Sequence, residues 1–187
     1  MKVAFRLLIL LLVISCNKNS EEELNDRITE GKPFFDFDEV VHYEVAISEY
    51  EFYNLLETDT LSRETKLLAD LLGDSCPKTK TEINNFKEAI HSKIVQEFKV
   101  NLKFTEELKT KIFSEKKCYE TWQTACEPLY RDIFIFKKNN KEIGIAKICF
   151  KCGQYSFSDG NFIADCFKMN GELKRLKEII AENKKSK

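Results

Sequence analysis

Glycine, proline, histidine and tryptophan are all scarce in this chain of 187 residues, which holds six, three, two and one of them. So little glycine and proline excludes a collagen-like or low-complexity chain. It also goes with the absence of a glycine-rich phosphate loop and of G-x-S-x-G. His42 and His91 are too far apart for H-E-x-x-H, and neither stands near a credible nucleophile in the sequence. No catalytic set, metal set or cofactor motif is therefore assigned. Acidic residues are plentiful, but nothing singles out a glycosidase-type pair. Charge of one sign is lacking too, with a net charge of −1. There is no basic field to attract nucleic acid. A long apolar run is also missing, since Leu7 to Ile14 falls well short of the roughly 20 residues needed to span a bilayer.

That short run has a different meaning in its context. Lys2 and Arg6 precede it and the small Ser15 follows, which is the pattern of a secretory leader over 1–15. Val13-Ile14-Ser15-Cys16 resembles the lipobox of bacterial lipoproteins, with Val13 where Leu is usual. The resemblance implies cleavage before Cys16, a diacylglycerol on its thiol and acylation of the new amino terminus. The membrane is then a partner through Cys16, and several acyl chains hold a protein far more firmly than one. The expected location is the outer membrane, on its periplasmic or its surface side. Residues 16–32 are polar and read as a flexible tether with a span of roughly 20 Å. Ser20-Glu21-Glu22-Glu23 resembles the acidic export signal that sends some lipoproteins to the cell surface, and it reads equally as a solvated linker.

Residues 33–187 read as a single domain. Val41, Tyr43, Val45 and Ile47 alternate with His42, Glu44 and Ala46, a half-buried strand that turns His42 to solvent. Ser48 with Glu51, and Thr79 with Glu82, are capping boxes for helices. A helix with Leu67, Leu68, Leu71 and Leu72 stops at Gly73. Ile83, Phe86, Ile90 and Ile94 form a helical stripe that leaves His91 on the surface. A strand is expected over Phe98 to Phe104, then a helix from Thr105 carrying Leu108, Ile112 and Phe113. Trp122 reads as a core plug. Ile133–Phe136 and Ile143–Ile148 flank the turn Lys138-Asn139-Asn140-Lys141 as a β-hairpin. A second hairpin turn is expected at Asp159-Gly160. A last helix carries Leu173, Leu176, Ile179 and Ile180. The fold class is α+β, an antiparallel β-sheet with several helices packed on one face.

Six cysteines remain besides Cys16: Cys76, Cys118, Cys126, Cys149, Cys152 and Cys166. An even number in an exported chain points to disulfides, and six allow fifteen pairings. Counting back from the two expected turns puts Cys126 and Cys166 both opposite Gly153, beside Cys152. Cys126–Cys152 is then the first candidate, Cys152–Cys166 its competitor, and Cys76–Cys118 a leftover pair. Cys149 falls three residues from Cys152, on the opposite strand face. Two other readings stay open. Cys149-x-x-Cys152 could be a redox pair, although no helix follows it to lower a thiol pKa. Cys149-x-x-Cys152-Gly153 also looks like a zinc knuckle, without a second C-x-x-C.

Tyr130-Arg131-Asp132 and Ile148-Cys149-Phe150-Lys151-Cys152 resemble a strand pair in uncharacterised bacterial envelope lipoproteins. The resemblance supports the hairpin and implies no activity. Arg131 and Asp132 read as an ion pair at a strand start. The function expected is binding of a protein or small molecule at the cell envelope. The alternative is a thiol–disulfide redox or zinc-binding protein using Cys149 and Cys152.

Overall fold

The sheet grows outward from its most apolar strand. In a computed structural model, residues 19–57, 62–73, 76–120, 125–158 and 160–185 are described. Strand β3 (Asp132–Lys138) carries Ile133, Phe134, Ile135 and Phe136, all wholly buried. A strand that is apolar on both faces needs cover on both. It pairs on one side with β1 (Glu39–Val45) and on the other with β4 (Lys141–Cys149). β2 (Ile94–Lys99) pairs with β1, and β5 (Gln154–Phe157) with β4. The order is β2-β1-β3-β4-β5 and every pairing is antiparallel. The class is α+β, as the periodicity indicated.

The helices cover both faces rather than one. Helices α1 (Asn19–Arg27), α2 (Glu49–Glu57), α3 (Arg63–Leu72) and α4 (Lys80–His91) come first. Phe52, Leu71, Leu72, Phe86 and Ile90 of α2 to α4 pack on Val41, Tyr43, Ile133, Ile135 and Ile145. The opposite face carries Val40, Phe98, Phe134, Phe136, Ala146 and Ile148. It is covered by a passage of short turns and by α6 (Glu172–Lys185). That passage runs through a 3₁₀ turn (Leu102–Phe104), α5 (Thr105–Glu107) and a π turn (Leu108–Ile112). Phenylalanine fills this second interface. Phe113 meets Phe136 edge-on at 4.9 Å and stacks on Phe167 at 5.9 Å. Such ring pairs contribute about 0.5–1.5 kcal/mol beyond their buried area.

This second layer corrects the placement of His42. The residue is wholly buried, between Phe98 and Phe134 with ring centroids 4.9 and 4.7 Å away. Alternation sorts residues into two faces, but it does not say that only one of them is covered. Lys147, on the other face, is also wholly buried. Its ammonium donates to the carbonyls of Leu71 at 2.6 Å and Gly73 at 2.5 Å, at the C-terminal end of α3 where a cation is favoured.

Three boundaries differ from the sequence reading. The stretch read as a tether is helical from Asn19 to Arg27, and Ile28 beyond it is buried. Leu24 near the end of the helix and Ile28 just past it turn to the same side. Both pack on Cys118 and Cys166. Two apolar residues anchor a segment whose average composition is polar. The second strand is Ile94–Lys99, so Ile94 opens a strand instead of closing a helix. Beyond it, Asn101 accepts from the Lys103 amide at 3.0 Å and turns the chain into the 3₁₀ turn. The turn between β4 and β5 is Phe150 to Gly153, and among the described residues no strand follows β5 to complete the hairpin expected around Asp159-Gly160. Gly153 takes φ +65°, a conformation that suits glycine, and this closes the hairpin early. Asp159 and Trp122 lie outside the described residues, as does Cys16.

A cysteine-bounded cleft as candidate functional site

Strand β4 delivers Cys149 to the edge of the core, and the turn after it brings the chain back. The Gly153 amide donates to the Cys149 carbonyl at 2.8 Å, closing that turn around Cys152. Cys152 is bonded to Cys126, with Cα atoms 5.8 Å apart. This is the first pairing the strand register suggested. Cys126 is exposed and Cys149 is buried, with 4% of its surface accessible. Cys149 lies outside both bridges.

The second bridge is Cys118–Cys166, with Cα atoms 5.5 Å apart. It replaces both Cys152–Cys166 and Cys76–Cys118. The reason is the early hairpin turn, which sends Cys166 into the loop before α6 and away from the sheet edge. There it meets the segment that follows the π turn. The bridge packs with Ile28, Leu24, Ile163 and Met169. Cys76 is in neither bridge; it is half-buried and packs against the helix-side core.

A cleft of about 140 Å³ lies beside the Cys126–Cys152 bridge. Its walls include both bridged cysteines, Cys149, Phe52 and Tyr53 of α2, and Arg131. Charged groups at the rim are partnered. Lys151 donates to Glu49 at 2.5 Å, and that hydrogen bond holds the Glu49 carboxyl below its ordinary range. The hydrogen bond from Tyr53 to the Glu127 carboxylate raises the Tyr53 phenol. Arg131 Nε donates to the Ile47 carbonyl at 2.9 Å. A space of this size is well below the roughly 300–1,000 Å³ of ordinary ligand pockets. It admits a single side chain or a molecule of a few heavy atoms.

Arg131 and Asp132 do not form the expected ion pair. Adjacent strand residues point to opposite faces. Arg131 serves Ile47, while Asp132 Oδ1 lies 2.9 Å from His42 Nε2. His42 Nδ1 is buried and has no hydrogen-bond partner. Sequence reasoning missed this pair. The signal that could have shown it is the match of His42 to Val40 in strand phase, with Phe98 and Phe134 as cross-strand partners.

A larger groove of about 620 Å³ runs between α3 and α4. Leu67 and Ala89 form its apolar part, with Arg63, Lys66, Asp70 and Glu88 around them. Its residues recur at helical spacing on both helices, so it is the seam between their outer faces.

Among the described residues no group of three or more His, Cys, Asp or Glu side chains could hold a metal ion. None of the described helices is long and apolar enough to cross a membrane. No family model matches the chain, and neither does any curated protein or any solved structure.

Proposed function

We propose that this chain is a lipid-anchored domain of the cell envelope, held at the outer membrane through Cys16, that acts by binding a protein or small molecule. The observation that supports the compartment is the bonding of four cysteines in two bridges, since such bonds persist in oxidising surroundings. The leader over 1–15 points the same way. The binding role draws on the α3–α4 groove, whose volume suits a ligand or a partner's side chains.

Intact mass spectrometry of the protein taken from its native envelope tests the anchor. The expected mass lacks residues 1–15 and carries acyl chains on Cys16. Reduction should add alkylation at Cys118, Cys126, Cys152 and Cys166. A retained leader or an unmodified Cys16 would remove the localisation. Surface proteolysis of whole cells separates the two sides of the membrane. For the binding role, a photoreactive residue at Asn85 should crosslink a discrete partner that the same group at Lys141 does not. Identical products from both positions would count against the groove.

A further inference from the structure

Three cysteines border one small cleft, and only two of them are bonded to each other. We infer that Cys149 and the Cys126–Cys152 bridge form an intramolecular thiol–disulfide exchange site, which moves the bridge to Cys149–Cys152 and releases a thiol at Cys126. This inference is independent of the lipid anchor and of the groove.

The geometry rests on the turn. The bond from the Gly153 amide to the Cys149 carbonyl spans four residues, as in one turn of α-helix. In such a turn the residues three apart are neighbours, with Cβ atoms about 5–6 Å apart. Cys149 and Cys152 stand three apart and border the same space. Closing that spacing to the roughly 3.5–4.5 Å between Cβ atoms in a disulfide takes a backbone adjustment of about 1–2 Å within the turn.

The step balances within the chain. Cys149 loses its proton, and its thiolate attacks Cys152 Sγ. The Cys149–Cys152 bond forms as the Cys152–Cys126 bond breaks. The electron pair leaves on Cys126, which takes up a proton, so no outside oxidant is needed. The attacker is buried and the leaving sulfur is exposed. The exchange therefore carries reactivity from the core to the surface without opening the fold. An exposed Cys126 thiolate can then attack the disulfide of a small molecule, forming a mixed disulfide and expelling one thiolate.

The test uses the full-length oxidised protein with oxidised glutathione at mildly alkaline pH, quenched in acid and mapped by unreduced peptide mass spectrometry. The expected products are a glutathione adduct on Cys126 and a Cys149–Cys152 bridge. Cys118–Cys166 has no third cysteine in its described cluster and serves as the internal reference. Cys149→Ser should abolish the Cys126 adduct. An adduct on Cys149 with Cys126–Cys152 intact would overturn the inference, as would an undiminished Cys126 adduct in Cys149→Ser. Because Cys149 is buried, that variant could fold poorly. The unmutated protein then decides alone, and the lack of any Cys149–Cys152 bridge after prolonged incubation sinks the idea.

Discussion

His42 Nε2 lies 2.9 Å from Asp132 Oδ1 across the paired strands β1 and β3, and the histidine end of the pair is wholly buried. Asp132 keeps 19% of its side-chain surface accessible. The two ends therefore respond differently to loss of the partner. Asp132→Ala leaves both ring nitrogens of His42 buried without a protein acceptor. It should destabilise the domain by about 1–3 kcal/mol, the cost of an unsatisfied buried polar group. His42→Phe leaves only a carboxylate that water can reach, and puts a third ring between Phe98 and Phe134. It should cost less than Asp132→Ala. Urea denaturation of the two variants gives the order, and the reverse order would contradict this account.

Glu115 is a junction for three separate segments. Buried to 1%, its carboxylate accepts from the Thr29 amide at 2.7 Å and the Ile163 amide at 3.1 Å, and it meets Lys32 at 3.2 Å. Glu115→Ala takes the carboxylate away from two part-buried amides and from a Lys32 ammonium that solvent reaches. A loss of about 1–3 kcal/mol is expected, the scale of hydrogen bonds to a buried charged acceptor. Glu115→Gln keeps an acceptor and should lose less. Amide hydrogen exchange should show Thr29 and Ile163 losing protection first.

Gly144 has no side chain because the Phe35 ring occupies the space. A Cβ there would fall inside van der Waals contact with three atoms of that ring. Gly144→Ala should therefore destabilise by about 1–3 kcal/mol through overpacking. A second change, Phe35→Leu, should recover part of that loss. Calorimetric melting of the single and double variants measures the coupling.

The cap at the start of α2 should titrate. Glu51 accepts from the Ser48 amide and hydroxyl, both at 2.8 Å, and these bonds lower its carboxyl to about 2. A carboxyl lowered in the folded state contributes stability that is fully present above its ordinary value of 4.5. That contribution fades as pH falls from there toward about 2. The Glu51 carbon resonance should move with that low midpoint, and Ser48→Ala should shift the midpoint upward.

Much of the fold was legible where the chemistry is local. Asn139 and Asn140 both take positive φ, at 49° and 62°, in the turn where their sequence placed them. Thr79 and Glu82 form the reciprocal cap that their spacing indicates. Cys126–Cys152 was legible because the β3–β4 hairpin sets which residues meet. Cys118–Cys166 was not, because it joins two loops 48 residues apart with no shared register. His42 was misplaced for a related reason: the sheet face it shares with Val40 is covered by Phe104, Leu108, Ile112 and α6, which sequence periodicity within β1 does not contain. Arg131 and Asp132 are neighbours in sequence, yet the pleat sends them to different partners.

Docking of α1 has a further consequence for the proposed lipidated form. With the chain helical from Asn19 and fastened through Leu24, Asn25 and Ile28, only Asn17 and Lys18 separate that helix from Cys16. Three residue steps reach about 10 Å at full extension. A leash that short acts less as a tether than as a hinge pin. If Cys16 carries lipid as proposed, the end of the molecule near Cys118–Cys166 would face the membrane, and the swing of the rest would be limited.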